Sequence, residues 1–191
     1  MPIHSSLTGS QLHEPKGVAA AAGGTVYVAD GAGSGSWVSP LQLINVEASP
    51  SGTSEAFTNS ALDIGDYQII VVAFSLSIAN SSTDILLQLS TDNGSSYNTT
   101  NYNGWHSGGV STTGIPVGAT SGNSTIRRGV FTIYNMNKSG QRTSVIGSCT
   151  NNSTGFTVGG FEGSSALNNT FRLLSPTAIS GGFIHVSGVK G

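Results

Sequence analysis

The stretch "YQIIVVAFSLSI", residues Tyr67 to Ile78, decides the fold. Side chains alternate faces along a strand, so Ile70, Val72, Phe74, Leu76 and Ile78 share one apolar face. On the other face Ile69, Val71 and Ala73 are apolar and Ser75 and Ser77 polar, so half of this strand is apolar on both sides. Such a strand needs cover beyond a facing sheet, supplied by another subunit or by the arm that precedes the body.

Outward from this strand, short apolar runs alternate with turn clusters, the pattern of a sandwich or barrel. "LQLINV" (Leu41 to Val46) precedes it, and "DILLQLSTDNGSSY" follows with Ile85, Leu87 and Leu89 on one face. Asp92-Asn93-Gly94 is the strongest hairpin signal of the chain. Later runs are Thr125 to Asn135, Thr143 to Thr150, Phe156 to Glu162, "FRLLS" (Phe171 to Ser175) and "GFIHVSGVK" (Gly182 to Lys190). About eight strands result, the number a jelly roll uses, and no repeat period accompanies them. The expected fold is all-β, a jelly-roll-like β-sandwich over residues 41–191.

Composition narrows the partners. The chain has 191 residues, of which 8% are charged, with 7 Lys+Arg against 9 Asp+Glu. That balance lacks the basic footprint that a phosphate backbone or an anionic lipid surface requires, so nucleic acid and membrane are excluded as expected partners. The beginning of the chain lacks a basic and an apolar signal region, and no apolar run reaches the ~18 residues of a membrane span, so synthesis in a cytosol without export by a signal of its own is expected. Asn-x-Ser/Thr triplets, such as those at Asn98 and Asn123, arise by chance in so Asn- and Ser-rich a chain.

No constellation points to catalysis or to a cofactor. Cys149 is the one cysteine, which excludes an internal disulfide and reads as a small buried apolar residue. His4, His13, His106 and His185 show no spacing that brings two imidazoles onto one metal. Asp63 and Asp66 flank a turn in "LDIGDY", and no G-x-S-x-G elbow precedes a helix. A non-enzymatic protein is expected.

Residues 1–40 read as an arm, too sparse in apolar side chains for a core. Pro15 fits a first helical position, Val18 to Ala22 continue it, and Gly23-Gly24 stop it. "TVYVA" (Thr25 to Ala29) is a short strand in need of a partner sheet, either in its own domain or in another chain. "DGAGSGSW" reads as a flexible spacer ending at Trp37, the anchor where arm meets body, and no helix or lysine follows to make it a phosphate loop.

Two further stretches stand out. "STDNGSSY" (Ser90 to Tyr97) resembles the Asp-box hairpin of sialidases and other β proteins, with Asp92 tying down its own turn. "SSYNTTNYNGWHSGG" gathers Tyr97, Tyr102, Trp105 and His106 among Asn side chains. These residues make either a glycan-stacking loop or the next strand, with Tyr102 and Trp105 packed in the body or a subunit interface.

Finally, Leu12 to Gly17, "LHEPKG", and Thr25 to Gly31, "TVYVADG", resemble the leading segment of tailed-bacteriophage virion proteins of the head-fibre and capsid-decoration type. The likeness covers about the first fifth of the chain and implies a homotrimer on the capsid exterior, assembled in the host cytoplasm. It further implies attachment to the major capsid protein or another virion protein through Leu12, His13, Glu14, Pro15, Lys16, Val26, Tyr27, Val28 and Trp37. The competing expectation is a tail fibre or tip module whose body binds host surface glycans.

Overall fold

The computed structural model describes residues 21, 25–29, 35–38, 41–80, 83–106, 109–118, 125–138, 140–151 and 154–190. The chain divides into two compact units, Met1–Leu41 and Gln42–Gly191.

In the leading unit, β1 (Val26–Ala29) and β2 (Gly35–Val38) form an antiparallel hairpin. Tyr27 faces Trp37 across it, with ring centroids 5.4 Å apart in an edge-on arrangement. Two expectations change here. The strand "TVYVA" finds its partner in the arm itself, and Gly35 to Trp37, read as spacer and anchor, belong to that partner strand. A cross-strand aromatic pair supplies the register that Gly35 and Ser36 do not. The helix expected from Pro15 to Ala22, together with Leu12, His13, Glu14, Pro15 and Lys16, lies outside the described residues, apart from Ala21.

The second unit is all-β. Its strands are β3 (Gln42–Glu47), β4 (Gly52–Thr58), β5 (Tyr67–Ile78), β6 (Ile85–Ser90), β7 (Tyr102–His106) and β8 (Gly109–Ser111). They continue with β9 (Ile115–Gly118), β10 (Ile126–Tyr134), β11 (Ser144–Thr150), β12 (Gly155–Glu162) and β13 (Thr170–Lys190). A one-turn helix, α1 (Asn59–Leu62), and a 3-10 turn (Ile64–Asp66) lead from β4 into β5.

All eleven strands join one antiparallel sheet in the order β8-β7-β12-β11-β10-β5-β13-β6-β9, with β3 and β4 also on β13. The 21 residues of β13 make the sheet fold over. Its first part, Thr170 to Leu174, pairs with β4 and β6, while Ile184 to Gly188 pair with β3 and β5. Pro176, which offers no N–H to a ladder, and Gly181-Gly182, both at positive φ, lie where the register shifts between those parts. The runs "FRLLS" and "GFIHVSGVK", read as two strands, are therefore one bent strand.

Folding over brings β9 against the inner side of β7, β10, β11 and β12, nearly closing a barrel. Backbones meet closely there: a Cβ on Gly104 of β7 would lie 2.9 Å from Ile115 Cα of β9. The enclosed core takes the face read from the sequence, with Ile70, Val72, Phe74, Leu76 and Ile78 all buried. Opposite them lie Leu87, Leu89, Ile115, Val117, Phe171 and Leu173, and Phe57 stacks on Phe171 at 4.8 Å. Cys149 is free and buried. No helix among the described residues is long and apolar enough to cross a membrane.

Candidate functional site

The segment after β6 begins with the turn expected from "STDNGSSY". Asn93 and Gly94 take positive φ, 58° and 88°, which Asn and Gly adopt most readily. The Asp92 carboxylate accepts from Ser96 N at 2.9 Å, from Ser96 Oγ, and from Ser90 Oγ at 2.7 Å. These bonds, Ser96's first, lower the Asp92 pKa from 3.8 to about 2. Ser90 Oγ in turn accepts from Gly94 N at 3.0 Å. Both carboxylate oxygens of Asp92 accept hydrogen bonds inside its own turn, which makes the stretch a fold feature.

The hairpin expected from this turn does not follow. Instead of pairing with β6, the chain crosses to β7, which pairs with β8 and β12. Beyond the end of β9, Leu89 of β6 is satisfied by other groups: its N–H donates to Tyr102 Oη at 2.7 Å and its carbonyl accepts from Asn98 N at 2.9 Å. Tyr102 is a buried strut between β6 and β7, and burial pushes its pKa up to about 12.

Trp105 lies on the other face of β7, 41% exposed, its indole over Gly159 of β12. Tyr97 packs under Arg172, whose guanidinium carbon is 4.0 Å from the ring centroid. Arg172 is held in turn by Gln88: Nε and Nη2 donate to Gln88 Oε1 at 3.0 and 2.7 Å, and Gln88 Nε2 donates to the Thr113 carbonyl at 2.8 Å. The Tyr97 hydroxyl is buried with no hydrogen-bond partner among the described residues, and burial raises its pKa.

His106 takes part in a different group. Its Nε2 lies 3.4 Å from Asp84 Oδ2, and the Asp84 charge supports the Arg127 guanidinium, whose pKa burial lowers. Arg127 is wholly enclosed and donates through Nη1 to the Ile126 carbonyl at 3.3 Å. Among the described residues no three His, Cys, Asp or Glu side chains gather to hold a metal ion.

The four residues singled out as a glycan loop are thus separated in role. Tyr102 is core, Trp105 is outer surface, Tyr97 lies under Arg172, and His106 belongs with Asp84 and Arg127. Of the attachment residues, Val26, Tyr27, Val28 and Trp37 come together in the β1–β2 hairpin.

No protein-family model, curated protein or solved structure matches the chain.

Arg127, Asp84, Arg172 and Gln88 were not singled out by sequence reasoning. Arg127 carries a usable signal, since alternation in "RRGVFTI" puts it on the face of Phe131 and Ile133. Arg172 and Gln88 carry none, because they are 84 residues apart.

Proposed function

We propose that the chain is a non-enzymatic structural protein of a tailed-phage virion, a head fibre or capsid decoration protein attached through its first forty residues. The observation that carries this reading is the form of the leading unit. Its described part is a two-stranded hairpin in which Val26 and Val28, on one face, are 46% and 50% exposed. A lone hairpin is marginal in water, so it gains its stability by adding to another sheet or burying that valine face. The resemblance of "LHEPKG" and "TVYVADG" to phage attachment segments supplies the partner: the major capsid protein or a neighbouring virion protein.

Ordering a short arm costs about 1–2 kcal/mol per residue of backbone, which one weak hairpin offsets poorly. Three arms on a trimeric body raise the effective concentration at the shell and make attachment durable. Deleting residues 1–41 is expected to leave a cooperatively folded body that no longer copurifies with virions. A truncated chain that loads onto virions at the full level overturns the reading.

The exposed indole of Trp105 favours a second reading, a tail-fibre or tip module that stacks host glycans. Glycan binding by the whole chain, abolished in Trp105→Ala, would support that reading over the first.

A further inference from the structure

The described part of the second unit exposes eight large apolar side chains, and seven of them share one surface. They are Leu43, Val46, Trp105, Val110, Val130, Ile146 and Phe183, all on the outward side of the broad layer that runs from β3 to β8. The eighth, Leu167, stands apart in the β12–β13 connection.

Strand register shows how continuous this surface is. One cross-strand row runs Leu43, Ser187, Val71, Thr132, Ile146, Gly159, Trp105, Val110, one residue from each of eight neighbouring strands. None of the eight is charged. The next outward row runs Val46, His185, Ala73, Val130, Ser148 and Thr157, and the row on the other side includes Val189, Ile69, Tyr134, Ser144 and Phe161. His185 is the one titratable imidazole among them; Arg128, beside Ser75, and Arg142, over Phe161, stand at the margins.

Seven strand spacings of ~4.8 Å make the central row about 34 Å long, and three outward rows make the surface about 20 Å wide. The product, on the order of 700 Å², is an uncharged face on which apolar side chains are interspersed with Ser, Thr, Tyr and His, its apolar part comparable with the roughly 300–600 Å² of the largest apolar patch on a typical monomer. It approaches the ~800 Å² per partner that a stable protein interface buries. A single sugar would cover Trp105 and leave most of this area in water. A lipid headgroup surface calls for a basic rim that two arginines do not make.

We infer that this face is the surface through which copies of the chain associate, the outer layer of one copy packing on that of another as sheets pack in a sandwich. A second copy offers the same uncharged, apolar surface with no like charge to bring together at its centre. Packed face to face in this way two copies close a two-fold pair, so the inference goes beyond the trimer of the proposed function and stands without any attachment to a virion.

The test is the mass of the full chain in sedimentation velocity at micromolar concentration. The native chain is expected to sediment as an oligomer. Ile146→Lys and Val130→Glu are each expected to shift it to monomer while circular dichroism and cooperative unfolding persist, and Leu167→Lys is expected to leave the oligomer intact. A monomeric native chain overturns the inference, including one in which Ile146→Lys exposes only the first forty residues to protease, which would assign the face to the chain's own arm. Oligomers that persist unchanged in both Ile146→Lys and Val130→Glu also overturn it. Virion copurification is read separately, so failure of attachment and failure of self-association are distinct results.

Discussion

Trp105 lies over Gly159 so closely that a Cβ on the glycine would stand 2.9 Å from Trp105 Cζ2 and 3.0 Å from the Val145 carbonyl oxygen. The glycine lets the indole lie close against the outer sheet, near the β8 end of the uncharged row. Gly159→Ala is expected to lift the indole and to cost about 1–3 kcal/mol, the usual penalty of overpacking. In a Trp37→Phe background, where Trp105 alone reports, the emission of the Gly159→Ala chain should move to the red and its urea midpoint should fall. Unchanged emission would show that the indole does not depend on the glycine.

The Asp92 turn predicts a pH dependence whose sign follows from its hydrogen bonds. Because the folded-state pKa is lowered to about 2 from 3.8, the carboxylate adds stability that is fully present above the ordinary value and is lost as pH falls through about 2. Asp92→Asn should therefore lower the melting temperature near neutral pH. Close to pH 2 the gap between native and variant chains should nearly vanish. A gap of equal size at both pH values would mean that the turn uses the shape of Asp92 and not its charge.

Much of the body was legible because burial imposes alternation. The inward face of β5 shows in the letters, as do the centres of β10, β11 and β12. β4 was missed because "GTSEAFT" buries one side chain completely, Phe57, and presents Ser, Thr and Glu elsewhere. β7 admits two readings because its inward positions are Tyr102, Gly104 and His106, which form no apolar run. Pro176 and Gly181-Gly182 look like a loop, yet β13 passes through them as a shift of register. The candidate site was harder still, since partners such as Arg172 and Gln88 meet only through the sheet order, which no local spacing encodes.

Arg127 gives a prediction from the energetics of enclosed charge. It is wholly buried, and the Asp84 carboxylate beside it supports its charge. Removing one member of such a pair costs more than replacing both, because the remaining charge stays in a low-dielectric site. Asp84→Ala is expected to lower the midpoint of urea unfolding. The double variant Arg127→Met with Asp84→Ala should recover at least half of that loss in urea unfolding. A double variant less stable than Asp84→Ala alone would show that Arg127 is held chiefly by other groups.

Two tyrosines five residues apart should respond oppositely to loss of the same atom. Tyr102 Oη accepts the N–H of Leu89 at 2.7 Å, at a point where β6 has run past the end of β9. Tyr102→Phe leaves that buried N–H without its acceptor and should cost about 1–3 kcal/mol. The Tyr97 hydroxyl is buried with no partner among the described residues, while its ring keeps the contact with Arg172 at 4.0 Å. Tyr97→Phe removes a polar group that had lost its water and retains the ring under the guanidinium, so stability should hold or rise by up to about 1 kcal/mol. Urea unfolding of the two single variants decides the matter. Equal losses in both would show that the Tyr97 hydroxyl is bonded in solution, and a harmless Tyr102→Phe would show that the strut between β6 and β7 rests on the ring alone.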